Sequence, residues 1–338
     1  MLSNDKSSDK VLIPDEFKRK LWGIEFNSPL FNAAGMFKKG EAYYTVASQG
    51  AGAYLSGTTT SKIRTGNKKN GFVHPVAPYI KSGIASNWMG LPNEGHAIVA
   101  ERLSRLEKQK ECPIGASISA DPSQSGLEAM NGVLEGLKLF TKANVDFIEL
   151  NESCPNVDHE HSEEYIDGID KSLVERLEYI SKNYIIKHGT GIPLIVKFSN
   201  DTNHDQVTSL INLLLTLRFS GVNFGNTSTK YEYHKDFIDK SESKTFDYFI
   251  TNFGGGISGT SLKSSSYSLA SQAVKYAKVL NPTHEFHVIR TGGIESADDV
   301  AASEKSGIAL NQWFTAYWEK FALHGHKLYE NLFEQFDV

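Results

Sequence analysis

Residues 287–300 read HVIRTGGIESADDV. A short apolar run, His287–Arg290, gives way to Gly292-Gly293, and Ser296 with Asp299 three residues on makes a capping-box-like helix start. The unit is a strand, a tight glycine turn and a helix. Paired glycines let backbone N–H groups approach an anion, and a helix start behind them adds a favourable dipole. A second cluster, Phe253-Gly254-Gly255-Gly256-Ile257-Ser258-Gly259, lies upstream. A pair of tight turns is the plain alternative; the two clusters in this order favour a phosphate site. Neither matches GxGxxG or GxxxxGK[ST], so a Rossmann dinucleotide site and a P-loop are both unsupported.

The same unit recurs along the chain. Strands are expected at Pro29–Asn32, Gly52–Ser56, Ile114–Ile118, Phe147–Leu150, Leu194–Phe198, Val222–Gly225, His287–Arg290 and Ala309–Trp313. Several are continuous apolar runs, the pattern of parallel strands buried on both faces. Helix-period stretches lie between them: Val207, Leu210, Ile211 and Leu214; Leu173, Leu177 and Ile180; Met130, Val133, Leu134 and Leu137. Eight strands separated by helices in roughly 300 residues is the arithmetic of an α/β fold of the (β/α)8 TIM-barrel type, with a doubly wound sheet as the rival. Residues 21–338 form the expected barrel domain, and residues 1–20 a loose polar arm. The long segments Gly57–Cys112 and Asn226–Glu285 follow strands, so in a barrel they decorate the C-terminal face. There the Gly292-Gly293 unit falls where barrels hold phosphate.

Composition narrows the class. The chain has 338 residues, 40% hydrophobic and 22% charged, with a formal net charge of −5. That is enough apolar content for a large core and too little positive charge for a nucleic-acid binder. Two cysteines, Cys112 and Cys154, with no CxxC, exclude a disulfide scaffold, a zinc ribbon and an iron–sulfur centre on this chain. No metal site is expected. The opening residues lack the apolar segment of a secretory leader and no apolar run is long enough to span a bilayer, so the expected location is the cytoplasm.

Polar residues gather where strands end. Asn151, Ser153, Cys154 and Asn156 follow one strand, Asn226 and Thr227 another, and Lys38 lies past a third. Singly, an Asn after a strand is more often a turn residue than a ligand. Lys197 inside an apolar run is different, because its charge is costly to bury without an anion or a cofactor. Cys154, beside Pro155 and polar neighbours, reads as a loop thiol able to act as nucleophile or base, with an inert core cysteine as the alternative. Cys112 reads as structural.

Together these segments resemble the dihydroorotate dehydrogenases, flavin enzymes of pyrimidine synthesis built on an FMN-binding (β/α)8 barrel. The resemblance runs from about Leu21 to Phe333. It is carried by NSPLFNAAGMFKKGE (27–41), SGTTTSKIRTGN (56–67), SNWMGLPNEG (86–95), IELNESCPNV (148–157), VKFSND (196–201), GNTS (225–228), GGISG (255–259) and RTGGI (290–294). It implies oxidation of dihydroorotate to orotate, with Cys154 as the base and hydride passing to FMN. Asn87, Asn151, Asn156 and Asn226, with Thr227 and Lys38, are implied as the substrate clamp. That choice is chemically apt, because Asn offers both a donor and an acceptor to a ring imide. Ala33, Ala34, Gly35, Lys38, Thr58, Ser117, Asn151 and Lys197 are implied as flavin contacts, and Gly256, Gly259, Gly292, Gly293 and Thr315 as the phosphate cradle.

The resemblance leaves the electron acceptor open between fumarate, a quinone and a partner subunit. A cysteine base and the lack of a membrane-associating helical extension fit the soluble class. Lys38 stands where the quinone-dependent class has its lysine, and Gly57 stands where the soluble class has its own. A homodimer is a family expectation. The rivals are an FMN barrel acting on another dihydropyrimidine and a catalytically silent flavin-binding paralogue.

Overall fold

A computed structural model describes residues 10–152, 164–189 and 191–336. Its core is one ring of eight parallel strands: β1 (Leu30–Asn32), β2 (Tyr54–Thr59), β3 (Ile114–Ile118), β4 (Phe147–Asn151), β5 (Leu194–Phe198), β6 (Gly221–Phe224), β7 (His287–Thr291) and β8 (Leu310–Trp313). The hydrogen-bonded order is β1-β8-β7-β6-β5-β4-β3-β2. The first strand therefore meets the last, as Asn311 opposite Leu30. β1 also closes onto β2: Gly52 N–H donates to Leu30 O at 2.9 Å, and Gly35 N–H to Gly57 O at 2.7 Å. Between these the Asn32 side chain stands in for a ladder rung, accepting from Leu55 N–H at 3.1 Å and donating to Leu55 O at 2.8 Å. The ring is a barrel, and the doubly wound alternative is excluded.

A helix follows each strand: α1 (Tyr43–Ser48), α2 (His96–Ser104), α3 (Gly126–Lys142), α4 (Lys171–Ile180), α5 (Val207–Thr216), α6 (Lys263–Leu280), α7 (Ala297–Lys305) and α8 (Thr315–His324). The apolar strand runs arise because both faces are covered. On β4, Ile148 and Leu150 pack outward in one cluster with Leu137, Leu177 and Ile180 of the helices. Phe147 points inward to a second cluster with Phe26, Phe31, Leu55, Ile195, Ile289 and Leu310. The α5 stripe behaves as its spacing predicts, with Val207, Leu210, Ile211 and Leu214 all buried. The Ser296–Asp299 capping box is formed at the head of α7.

An antiparallel hairpin, Arg19–Leu21 with Ile24–Phe26, stoppers the N-terminal end. Phe26 sits 6.1 Å, ring to ring, from Phe147. Residues 10–20 depart from the loose arm expected of them. Val11, Ile13 and Phe17 are buried, and Phe17 lies 4.6 Å from the ring of Phe333. Three apolar side chains spaced among polar ones suffice to dock the segment.

At the opposite end the two long insertions cooperate. Val76–Tyr79 and Ile84–Asn87 from the first pair with Gly256–Gly259 from the second in a three-stranded antiparallel sheet. Tyr79, Ile84, Phe246, Phe249 and Ile257 give it a small core of its own. This sheet overhangs the C-terminal mouth. Among the described residues no helix is long and apolar enough to cross a membrane, and no group of three or more His, Cys, Asp or Glu could hold a metal ion.

Candidate active site

Strand ends and overhang enclose one cavity. Ala33, Ala34 and Gly35 line it from beyond β1, with Lys38 further along. Thr58 comes from β2, Asn151 from β4, Lys197 from β5, Asn226 and Thr227 from beyond β6, Gly292 and Gly293 from beyond β7, and Thr315 from the head of α8. Asn87 and Gly259 close it from the overhanging sheet. Two candidates lie beside the cavity rather than on it. Ser117 is buried on β3, its hydroxyl 2.9 Å from that of Thr58. Gly256 takes the Asn87 amide on its carbonyl at 3.4 Å. Cys154 and Asn156 lie outside the described residues. Cys112 is buried beside Tyr43 of α1, and burial pushes its thiol up to about 12, so it is chemically inert.

The asparagines form a chain. Asn226 Nδ2 donates to Asn151 Oδ1 at 3.0 Å, and Asn151 Nδ2 donates to Thr58 Oγ1 at 3.1 Å. Thr227 N–H donates to Asn226 Oδ1 at 2.9 Å. The Thr227 hydroxyl is buried, lines the cavity and has no hydrogen-bond partner among the described residues. A buried polar atom of that kind is rare unless a ligand completes it.

The glycines form the other wall. Gly259, Gly292 and Gly293 have φ of +105°, +116° and +67°. A Cβ on Gly293 would stand 2.4 Å from Lys263 Cα, and one on Gly259 2.2 Å from Gly83 O. Only glycine brings these segments so close. Phe314, Thr315 and Ala316 present the start of α8 to the same space, so its free N–H groups favour an anion there. Arg290, 1% exposed, rivets the wall from behind. It donates to Ser266 Oγ at 3.0 Å, Lys263 O at 3.0 Å and Ser303 Oγ at 3.0 Å. Burial holds its guanidinium down to about 10, still charged at neutral pH.

Across the barrel mouth the glycine wall thus faces the asparagine chain. The family profile described as "Dihydroorotate dehydrogenase" matches residues 16–335. The chain belongs to the dihydroorotate dehydrogenase family. A protein from a Nitratiruptor species, named dihydroorotate dehydrogenase (quinone), is 26% identical over 316 residues, covering 93% of this chain and 80% of its own. The Vibrio parahaemolyticus protein of the same name is 29% identical over 321 residues, covering 92% and 84%. Two crystal structures of DHODH from Eimeria tenella share the fold. The ferulenol complex has a TM-score of 0.74 at 21% identity over 96% of this chain and 85% of that one. The ligand-free form has 0.75 at 21% over 97% and 88%.

In this member of the dihydroorotate dehydrogenase family a buried polar layer lies under the cavity that the motifs did not reveal. Glu149 on β4 is 1% exposed. Its Oε2 accepts from Asn223 Nδ2 at 2.8 Å and Gln312 Nε2 at 2.8 Å. Its Oε1 lies 3.5 Å from Lys197 Nζ and 3.4 Å from Ser117 Oγ. Lys197 Nζ also donates to Gln312 Oε1 at 3.2 Å. The signal was present: Glu149 interrupts an apolar run as Lys197 does, and the same burial argument applies to both.

Proposed function

We propose that the chain oxidises dihydroorotate to orotate with FMN as its resident electron carrier. The observation that carries this reading is a cavity in which Asn87, Asn151, Asn226 and the Thr227 hydroxyl, unpartnered among the described residues, face the cradle of Gly259, Gly292 and Gly293. The donor set fits the cofactor. The cradle and the head of α8, with Thr315, would hold the phosphate. Ala33, Ala34, Gly35 and Thr58 would flank the ring system, with Lys197 at its pyrimidine end, where a cation steadies negative charge. Bound FMN would supply the acceptor for the hydride leaving the substrate ring, chemistry no side chain can provide.

The chain's own residues do the rest. Asn87, Asn151, Asn156 and Asn226 clamp the imide and carboxylate of the substrate, with Lys38 balancing its charge. Cys154, as thiolate, takes a proton from the ring carbon adjacent to the one that gives up hydride. Two C–H bonds break and one C=C bond forms.

For the acceptor we propose a quinone. The relatives are named for it, and an apolar groove supports it. Met36, Ile63, Val76, Pro78, Pro92 and Trp318 line this groove, which shares Lys38, Asn87, Met89 and Phe314 with the cavity. A second reading, fumarate, is favoured by cysteine rather than serine at position 154.

One experiment tests the scheme. The purified chain is expected to be yellow and to bleach on anaerobic addition of dihydroorotate. A flavin that is present but stays oxidised overturns the substrate. A quinone analogue should then restore the colour faster than fumarate; the reverse order selects the second reading. Cys154→Ala should slow bleaching by roughly 10²–10⁴-fold with flavin still bound. Near-normal bleaching removes Cys154 as the base.

A further inference from the structure

Hydrogen bonds under the cavity orient two side-chain amides towards one carboxylate. Thr291 Oγ1 lies 2.9 Å from Asn223 Oδ1, so the Asn223 amide turns its NH₂ to Glu149. Lys197 needs an acceptor from Gln312, so Gln312 likewise turns its NH₂ to Glu149. Donors from β3, β5, β6 and β8 thus converge on one carboxylate carried by β4. Glu149 accepts from the two amides and lies 3.5 Å from the Lys197 Nζ as its ion-pair partner. Lys197 reaches the cavity wall and Glu149 does not. The cavity therefore faces the positive end of a buried pair whose negative end lies 3.5 Å behind.

We propose that Glu149 is a positioning residue that fixes the Lys197 ammonium at the cavity floor and moderates the positive charge the flavin feels. The inference rests on the FMN reading. An unopposed lysine would stabilise reduced flavin so strongly that electrons would be slow to leave. A lysine opposed by Glu149 serves both half-reactions. The pair exists for the field it makes rather than for stability, since a buried ion pair is seldom more stable than an apolar filling.

Sulfite reports this field, because it adds to oxidised flavin and leaves negative charge at the pyrimidine end. Flavin-loaded Glu149→Gln should bind sulfite about tenfold more tightly, the order expected for removing one opposing charge from a partly buried site. Its reduction by dihydroorotate should be maintained or faster and its reoxidation slower. Unchanged or weaker sulfite binding overturns the proposal. A second comparison holds even if that variant folds poorly. In a Lys197→Gln background there is no ammonium for Glu149 to fix, so adding Glu149→Gln should change sulfite affinity by much less than tenfold. A tenfold effect there shows that Glu149 acts independently of Lys197 and overturns it equally. A wild-type chain that takes up no flavin overturns the FMN reading and this inference together; a flavin-loaded wild type with an inert Glu149→Gln overturns this inference alone.

Discussion

The lower and upper halves of the barrel interior are made by the same strands and carry opposite chemistry. β4 shows both within five residues. Phe147 points into the apolar layer with Phe31, Leu55, Ile195 and Leu310. Glu149 points into the charged layer with Lys197, Asn223 and Gln312. Asn151 reaches the cavity. Successive inward side chains of a strand thus sit at three depths. The lower filling is what burial favours anyway. The upper filling gives up apolar contact for paired charges and amides, and a fold has no need of that. Stability and chemistry are separated by depth.

The double variant Glu149→Leu with Lys197→Met attacks the upper layer and should have the largest effect. Flavin reduction by dihydroorotate should fall by roughly 10²-fold or more. Stability in urea should stay within about 2 kcal/mol of the wild type, whereas Glu149→Leu alone, which strands a buried ammonium, should lose about 3–5 kcal/mol. If the double variant is as unstable as the single one, the upper layer is structural and the contrast fails. In the lower layer Phe147→Ala should lose about 3–5 kcal/mol of unfolding free energy. The same variant should leave flavin affinity much less changed, as a flavin titration would show.

Protons sharpen the contrast from outside the interior. His96 of α2 and His234 of the segment Tyr231–Lys235 are buried, and burial holds both imidazoles down to about 4. They are neutral when folded and titrate near 6.5 when unfolded. Their contribution is complete above pH of about 6.5 and is lost as pH falls towards 4. The urea midpoint should therefore drop between pH 7 and pH 5. A flat midpoint would mean that both imidazoles accept protons in place. The smallest effect belongs to Ser296→Ala, which opens the capping box of α7. Thermal or urea unfolding should show a loss of about 1 kcal/mol.

The fold was legible because its signals are local. Each strand run announces burial on both faces, and α5 and the α7 capping box follow from spacing alone. Much of the cavity wall was legible through short motifs at strand ends. Pairings across the ring were not legible. Phe17 docks on Phe333, and nothing near residue 17 reveals its partner. Glu149 and Lys197 each break an apolar run on neighbouring strands, yet the register sets Lys197 opposite Asn151, and only the long lysine side chain brings its ammonium within 3.5 Å of the Glu149 carboxylate. Ser117 and Gly256 sit in the right segments but back the wall rather than line it. That distinction belongs to side-chain direction, which the motif alone does not carry.

The meeting of β1 with β8 orders events in time. Leu30 pairs with Asn311. The cavity takes Ala33, Ala34 and Gly35 from one edge of that seam and Thr315 from the other. A chain leaving the ribosome therefore cannot finish this cavity until β8 and the head of α8 have been made. If the cavity holds flavin as proposed, its capture reports a closed ring, and a ribosome-stalled fragment ending before β8 should emerge colourless.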